Sequence, residues 1–407
     1  MQFSFENLLA DREIVRLAGG PGQTGSTLFA ADLTPGDSQM DWIVLFWLVA
    51  GLALLVAGAD VMVRGASRLA LGLGISPLVV GLTIVAYGTS APELAVSLRA
   101  AVAGNGQIVL GNVIGSNIVN VLLILGASAL IVPLSVQRRI VRLEVPLMLG
   151  VSVLTWVFAA DGMIGRVEGF LLLFGAMLYT GFVLVQSRRE TASAAGAIEA
   201  GPAEYQSSPE TGQNGGGGVL VSLLLVLAGL ACLVLGARWL VEAATTIART
   251  FGMSDLLIGL TVVAIGTSFP ELATSIVAAL RGERDMAVGN IVGSNLFNLL
   301  FVLGTSSLVL PVSVAYHAIS VDLPVMFAAA FACLPIFFTG YRIDRWEGSL
   351  FLAFYGLYIA YLIAAALGKT DWISLQISIA LFVAPLTVLT LIATSIHAWS
   401  KGSDVRS

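Results

Sequence analysis

Charged residues are scarce in this sequence, and histidine and cysteine are nearly absent. Asp, Glu, Lys and Arg together make up 11% of the 407 residues, whereas 57% are hydrophobic. This balance excludes a water-soluble globule and indicates a protein dissolved in lipid. The net charge of −5 is small and dispersed, which argues against a nucleic-acid-binding surface.

The few cysteines and histidines do not form a reactive or metal-binding group. Cys232 and Cys333 stand alone in separate apolar stretches, so we expect buried, inert thiols, with a disulfide or a shared metal as the alternative. His317 and His397 are isolated from each other, which leaves no histidine cluster for zinc. The sequence therefore argues against an enzyme and predicts no cofactor.

Long apolar runs are what the sequence has in abundance. A hydrocarbon core of about 30 Å takes about 20 helical residues, and the chain offers eleven stretches of that size. We predict an all-α integral membrane protein with spans at 42–63, 76–98, 108–133, 143–160, 167–187, 219–245, 254–280, 287–311, 320–339, 347–367 and 372–399. The last one, bounded by Trp372 and Trp399, has no partner in the first half. An amphipathic or re-entrant segment kinked at Pro385 is the alternative there.

The segments between the spans predict the organisation of the chain. Residues 1–41 lack the basic and apolar regions of a cleaved signal and are predicted to be an extracytoplasmic tail. Residues 188–218 end in QSSPETGQNGGGG, the composition of a flexible linker. This linker separates two halves of five spans, 42–187 and 219–367. An extra helix and a tail occupy 368–407.

An internal repeat relates the two halves. Residues 81–126 align with 259–304 without a gap at an offset of 178, and 25 of the 46 positions are identical. Because each half holds an odd number of spans, the second half enters from the opposite face and the repeats are inverted. Placing the N-terminus outside, and the linker and C-terminus in the cytoplasm, assigns thirteen of the twenty Lys and Arg residues to the cytoplasmic side. We predict a multi-pass protein of the plasma (inner) membrane.

Each repeat places a glutamate inside an apolar span, directly after a proline. The segments are GTSAPE at 88–93 and GTSFPE at 266–271. Proline has no amide hydrogen and its ring clashes with the carbonyl four residues earlier, so each helix should break and free backbone oxygens near the midplane. The predicted oxygen ligands are the carboxylates of Glu93 and Glu271, the hydroxyls of Thr89, Ser90, Thr267 and Ser268, and the carbonyls of Gly88, Thr89, Gly266 and Thr267.

The second part of each repeat adds a polar stripe to the next span. Residues four apart lie on one face of a helix, and the stripes consist of Asn112, Ser116 and Asn120, and of Asn290, Ser294 and Asn298. Glycines beside them allow another helix to approach closely. We predict a site made by two broken helices that carry glutamate and two helices that carry amide and hydroxyl groups.

Two carboxylates in the membrane need an explanation. Each costs about 2.5–3.5 kcal/mol at the bilayer centre even on a lenient scale, so a packing role is disfavoured; protonated glutamates bonded to Asn or Ser are the alternative. Hard oxygen ligands suit Ca²⁺, Na⁺ or Mg²⁺. An empty, ionised pair would repel, so the site should cross between access states only when it holds Ca²⁺, Na⁺ or protons. Inverted repeats provide two such states, and the constraint amounts to exchange.

The doubled pattern GTS-x-PE followed by GN-x-x-GSN-x-x-N resembles the α-repeats of the cation/calcium exchanger superfamily, specifically the prokaryotic sodium/calcium exchanger type. The resemblance covers about residues 42–367 and implies ten core helices in two inverted five-helix halves. It implies a ligand set of Thr89, Ser90, Glu93, Ser116, Asn120, Thr267, Ser268, Glu271 and Ser294. Many relatives carry Asp in place of Asn298, which leaves sodium stoichiometry and potassium dependence open. Proton-coupled relatives carry Glu where Gly115 and Gly293 stand, which favours sodium.

The resemblance and the residues together predict a Na⁺/Ca²⁺ antiporter with metal-binding Glu93 and Glu271. An antiporter of Ca²⁺, or another divalent cation, against H⁺ is the alternative. A passive divalent channel would conduct without a counter-ion, which an empty site that cannot cross would prevent. Beyond the lipid bilayer and the transported ions, the sequence predicts no nucleic acid and identifies no protein partner.

Overall fold

The computed structural model describes residues 38–199, 217–254, 258–338, 340–367 and 388. Within this part of the chain, eight helices are long and apolar enough to cross a membrane, and a bent pair in the first repeat makes a ninth span. The all-α membrane fold with two repeats is therefore confirmed, while the count of ten core spans stays a prediction. The N-terminal tail and nearly all of the eleventh span lie outside the described residues.

The first half consists of six helical segments. They are α1 (Ser38–Leu73), α2 (Pro77–Thr89), α3 (Ala91–Val102), α4 (Gly106–Ile131), α5 (Ile140–Ala159) and α6 (Arg166–Glu199). Helix α6 continues past residue 187, where we predict the flexible linker to begin, and residues 200–216 are outside the described part.

The second half repeats this order. Its segments are α7 (Gly217–Thr250), α8 (Gly259–Val263 followed by Ala264–Gly266), α9 (Phe269–Leu280), α10 (Arg284–Val309), α11 (Ala318–Phe338) and α12 (Arg345–Ala366). Helices α1 and α7 run past their predicted ends at 63 and 245. Their charged residues pair along the helix, Asp60 with Arg64 and Arg238 with Glu242, so these charges do not end it.

Both predicted helix breaks are present, just before the prolines. Ser90 separates α2 from α3 with φ −85° and ψ 9°, and the two helices bend by 44°. Ser268 has nearly the same backbone angles, φ −91° and ψ 7°. Each proline then sits at the start of the next helix, where a missing N–H is tolerated. The break therefore places each glutamate in the first turn of a helix, where the helix dipole favours a carboxylate.

Turns of π-helix occur at related positions in both halves. The pairs are Gly81–Val85 with Gly259–Val263, Val119–Leu125 with Asn298–Val302, and Ile140–Glu144 with Ala318–Asp322. Such turns widen the helix locally and are frequent at functional sites. The first pair precedes the helix breaks, and the second pair contains the predicted ligands Asn120 and Asn298.

Two short strand pairs join the halves, one at each end of the bundle. Strand β1 (Leu134–Ser135) pairs with β4 (Arg342–Ile343), and β2 (Met163–Ile164) pairs with β3 (Val312–Ser313). Strands β1 and β3 follow equivalent helices, yet they belong to different sheets. Equivalent loops therefore lie on opposite faces, which is the inversion predicted from the span count.

The polar stripe lies at the centre of the bundle. Helices α4 and α10 are largely buried, whereas α1 and α7 expose most of their surface. Helices α1 and α7 pack against each other as a close antiparallel pair: a Cβ added at Gly58 would lie 2.9 Å from the carbonyl oxygen of Gly229. The residues predicted to bind ions thus lie on inner helices of the bundle, with the α1–α7 pair outside them.

Candidate ion-binding site

The two glutamates of the repeats are fully buried and bonded across the repeat boundary. Ser90 Oγ donates to Glu271 Oε1 at 2.7 Å, and Ser268 Oγ donates to Glu93 Oε1 at 3.1 Å. Both carboxyl groups are 0% exposed. The serine at each helix break therefore holds the carboxylate of the opposite repeat, so the two breaks meet at one place.

The threonines that precede these serines also lie beside the glutamate of the opposite repeat. Thr89 lies beside Glu271, and Thr267 lies beside Glu93. The Thr89 hydroxyl also donates to the carbonyl oxygen of Val85 at 3.1 Å and approaches Asn290 Oδ1 at 3.2 Å. Because a hydroxyl keeps acceptor capacity when it donates, both threonines can still offer an oxygen. Ligation by the carbonyls of Gly88, Thr89, Gly266 and Thr267 stays a prediction.

Six buried oxygens of the predicted site have no hydrogen-bond partner among the described residues. They form three symmetry-related pairs: Glu93 Oε2 and Glu271 Oε2, Ser116 Oγ and Ser294 Oγ, and Asn120 Oδ1 and Asn298 Oδ1. An unsatisfied buried polar atom costs about 1–3 kcal/mol, and native proteins contain few of them. A bound cation would provide the missing partner for these six oxygens.

The first asparagine of each stripe has a different role. Asn112 Nδ2 donates to the carbonyl oxygen of Glu93 at 3.0 Å and to Ser97 Oγ at 2.9 Å. Asn290 Nδ2 donates to Ser275 Oγ at 3.0 Å. These amides fasten α4 to α3 and α10 to α9, so they position the glutamate helices instead of facing the open oxygens.

Sequence reasoning missed four residues around the site, two asparagines and two methionines. Asn120 Nδ2 donates to Asn295 Oδ1 at 3.1 Å, and Asn298 Nδ2 donates to Asn117 Oδ1 at 3.4 Å. Asn295 and Asn117 in turn contact the sulfurs of Met148 and Met326. A signal was available, since Met148 and Met326 are 178 residues apart like the two repeats.

The site is packed more tightly on one side than on the other. A Cβ added at Gly293 would lie 2.6 Å from the carbonyl oxygen of Leu82, and one at Gly289 would lie 2.8 Å from that of Leu78, so α2 presses against α10. No described atom lies within 4 Å of a Cβ added at Gly111 or Gly115 on α4. Gly81 on α2 and its equivalent Gly259 on α8 differ in the same way: a Cβ added at Gly81 would lie 2.6 Å from the carbonyl oxygen of Met286 on α10, whereas no described atom of another segment lies within 4 Å of one at Gly259. Among the described residues, α8 is therefore packed less tightly against α4 than α2 is against α10.

The predicted chemistry of the site depends on glutamate alone for its charge. Among the described residues, no group of three or more His, Cys, Asp or Glu side chains could hold a metal ion. Cys232 and Cys333 are both free thiols; Cys333 is buried as expected, whereas Cys232 is partly exposed, so its predicted burial is wrong. Two carboxylates surrounded by hydroxyl and amide oxygens favour a hard cation over zinc or copper.

Comparison with known proteins agrees with this chemistry. A model of the family described as "Sodium/calcium exchanger protein" matches residues 43–187 and 221–364. The "Putative antiporter CaxA" of Alkalimonas amylolytica is 42% identical over 318 residues, which are 77% of this chain and 97% of that protein. The "Sodium/calcium exchanger MaX1" of Methanosarcina acetivorans is 34% identical over 339 residues, with the same two coverages.

Solved structures give the same result. The sodium-calcium exchanger NCX_Mj, in a crystal soaked with zero Na⁺ and Ca²⁺, superposes with a TM-score of 0.66 at 31% sequence identity. The match covers 79% of this chain and all of that one. The members of the sodium/calcium exchanger family are transporters and not enzymes. This chain belongs to that family.

Proposed function

We propose that this protein is an antiporter that exchanges Ca²⁺ for Na⁺ by alternating access at the site between Glu93 and Glu271. The observation that carries the proposal is the set of six buried, unpartnered oxygens. Calcium takes six to eight oxygen ligands, and the predicted threonine and carbonyl oxygens add to the six. Two carboxylates balance one divalent cation or two monovalent ones.

Burial supports an exchange mechanism over a passive channel. Both carboxyl groups are 0% exposed, and an uncompensated buried charge is costly. The free-energy cost of two uncompensated buried charges therefore disfavours a change of conformation while the site is empty and ionised. A bound cation removes this cost. Crossing in one direction with Ca²⁺ then requires crossing back with another cation.

The unequal packing of the two repeats supports alternating access. Helix α2 is closed against α10 at Gly81, whereas no described atom of another segment lies within 4 Å of a Cβ added at the equivalent Gly259 on α8. Inverted repeats can exchange these conformations and so open the site to the other face. With the N-terminus outside, the observed state is closed to the cytoplasm and accessible from outside the plasma (inner) membrane. The linker and the C-terminal tail are then cytoplasmic, and residues 368–407 add an eleventh helix.

Exchange of Ca²⁺ for H⁺ is the second candidate, favoured by one observation. Glu93 Oε2 and Glu271 Oε2 each lack a partner, and a proton on either oxygen would neutralise the carboxylate without any other ligand. Sodium is preferred because the surrounding hydroxyl and amide oxygens are suited to a metal cation. Gly115 and Gly293 also leave the site without a further carboxylate.

Flux in vesicles tests the proposal. Purified protein in calcium-loaded vesicles should exchange ⁴⁵Ca only against an opposing Na⁺ gradient. Glu93→Gln or Glu271→Gln should reduce exchange by more than about 100-fold, because loss of a ligand exceeds the usual effect of losing its support. Glu144→Gln, a fully buried carboxylate outside the site, serves as the matched control and should retain exchange.

The outcomes separate the candidates. Equal flux driven by a pH gradient alone would support the proton antiporter. Flux without any counter-ion would mean a channel. Retained exchange in both glutamine variants would remove these glutamates from the site.

A further inference from the structure

We infer that Met148 and Met326 are positioning residues, which fix the direction of the two asparagine side chains whose oxygens face the ion site. The inference rests on the proposed function of that site. Neither methionine belongs to the predicted ligand set. Their role would be to set which end of each amide the ion meets.

Two hydrogen-bonded relays carry the inference. In the first, Asn295 Nδ2 donates to Met148 Sδ at 3.4 Å, and Asn295 Oδ1 accepts from Asn120 Nδ2 at 3.1 Å. In the second, Asn117 Nδ2 donates to Met326 Sδ at 3.6 Å, and Asn117 Oδ1 accepts from Asn298 Nδ2 at 3.4 Å. All six residues are buried. Each relay ends on an asparagine oxygen that has no partner among the described residues.

The chemistry of the thioether gives each relay one direction. An asparagine has an oxygen that only accepts and an NH₂ group that only donates, whereas a thioether sulfur only accepts. Asn295 must therefore turn its NH₂ group to Met148 and its oxygen to Asn120. Asn120 then uses its NH₂ group on Asn295, which leaves its oxygen for the site. The same sequence of choices runs from Met326 to Asn298.

Without the sulfur, this direction would no longer be fixed. Asn295 could reverse and donate to Asn120, which would then accept with its oxygen and turn its NH₂ group toward the site. Two donor hydrogens beside a cation repel it, whereas the carbonyl oxygen is a ligand. Leucine fills nearly the same volume as methionine but offers no acceptor, so packing alone would not require sulfur here.

Each relay also passes twice between the halves. Met148 and Asn120 belong to the first half, and Asn295 lies between them from the second. In the second relay, Met326 and Asn298 belong to the second half, and Asn117 lies between them from the first. The direction of each site oxygen is therefore set by the opposite half, as it is for the glutamates.

Leucine variants test the relays. Met148→Leu and Met326→Leu should each raise the Ca²⁺ concentration for half-maximal ⁴⁵Ca exchange by about tenfold, the usual effect of losing outer support at a metal site. The Ca²⁺-dependent rise in Tm of the detergent-solubilised protein should shift to higher Ca²⁺ by a similar factor. Met286→Leu is the control, because Met286 is fully buried and its sulfur has no hydrogen bond among the described residues. It should stay within about twofold, as expected for a volume-conserving change.

A second background distinguishes orientation from packing. In Asn298→Asp, both oxygens of the side chain are acceptors, so no relay is needed to present one. Met326→Leu should have no further effect on Ca²⁺ affinity in this background, whereas Met148→Leu should keep its tenfold effect. If a leucine variant does not fold, isoleucine provides another apolar replacement in the same comparison.

The inference and the proposed function fail in different ways. Equal losses from Met326→Leu with Asn or Asp at position 298 would assign the methionine to packing and overturn the inference. So would unchanged affinity in both leucine variants of a protein that exchanges Ca²⁺ for Na⁺. Absence of Na⁺-dependent exchange in the unmodified protein would instead overturn the proposed function.

Discussion

At the residue scale, a second pair of carboxylates, Glu144 fully buried and Asp322 partly exposed, shows how the two halves have diverged. Glu144 accepts hydrogen bonds from Arg139 Nε at 3.1 Å and from the Tyr179 hydroxyl at 2.8 Å. Its repeat equivalent, Asp322, accepts from the Tyr358 hydroxyl at 3.0 Å and lies 3.4 Å from His317 Nδ1. A permanently charged arginine in one half is therefore replaced by a titratable histidine in the other.

The histidine predicts a pH-dependent contribution to stability. The hydrogen bond with Asp322 raises the pKa of His317, and partial burial opposes this effect. A raised pKa means that the stabilisation is fully present below the pKa of the unfolded chain, about 6.5. It is lost as pH rises through the higher pKa of the folded protein. His317→Asn should therefore lower the Tm in detergent near about pH 5.5 and have little effect near about pH 8.5.

The other groups around this histidine do not change the sign of the effect. His317 Nε2 lies 2.8 Å from the Tyr361 hydroxyl, and Tyr358 bonds to the same aspartate. Phe substitution at Tyr361 provides the control, because it removes a hydrogen bond and leaves the ion pair. A larger effect of His317→Asn at high pH than at low pH would contradict the assignment.

Sequence spacing selected the residues of the candidate site but not their partners. GTS-x-PE places Ser90 and Glu93 near one another along the chain, yet the bonds run from Ser90 to Glu271 and from Ser268 to Glu93. Asn117 lies within the GSN segment and was not selected, because its contact with Met326 spans 209 residues. Local spacing identifies polar residues inside apolar spans, but it does not specify contacts formed between halves.

At the scale of helices, the α2–α10 contact and its looser equivalent have different tolerances. A methyl group at Gly293 would meet Leu82 backbone atoms at 2.6 and 2.8 Å, while no described atom of another segment lies within 4 Å of one at the equivalent Gly115. Overpacking costs about 1–3 kcal/mol. Gly293→Ala should therefore disfavour the observed state, and Gly115→Ala should disfavour the state in which α8 closes against α4.

Labelling of single cysteines from each face of the membrane measures these populations. Gly293→Ala is expected to shift accessibility by about tenfold toward the state open on the α2 side, and Gly115→Ala should shift it the other way. Both should slow exchange. Shifts in the same direction would refute the idea that the two glycines belong to reciprocal contacts.

Helix limits show what hydropathy can and cannot predict. The breaks follow from Pro92 and Pro270, and the long spans follow from apolar length. Helices α1 and α7 extend beyond the predicted span ends at 63 and 245, because Asp60 and Arg238 are each paired on their own helix and do not end it. Two-residue strands such as Leu134–Ser135 are too short for any alternating pattern to reveal.

At the scale of the whole molecule, polar contacts close one face more firmly than the other. The turn after α9 and the start of α10 contact the first half three times: Arg281 with Asp60, Glu283 with Ser67 at 2.8 Å, and Asp285 with Gln137 at 2.7 Å. No equivalent side-chain contacts are found for residues 103–107 within the described part of the chain. The observed state is therefore held by contacts that its inverted partner would lack.

Breaking one of these contacts should shift the balance between the states. Asp60 and Arg281 are both partly exposed, so screening limits their pair to less than about 1 kcal/mol. Asp60→Asn should raise the population open on that face by less than about fivefold, measured by cysteine accessibility. Arg238→Gln removes the equivalent charge on α7, whose pair is confined to one helix, and should leave the balance unchanged. Equal shifts in both variants would point to a general charge effect.

The crossing of serine–glutamate bonds between repeats has a consequence for how such a chain can be assembled. Neither half contains a complete set of partners for its own carboxylate, so a single half expressed alone would have to find a second copy. Because the halves are inverted, that copy would need to insert upside down. Two separately translated halves should therefore regain activity only as an antiparallel complex, and a shared ancestor of one half would have had to adopt both orientations in the same membrane.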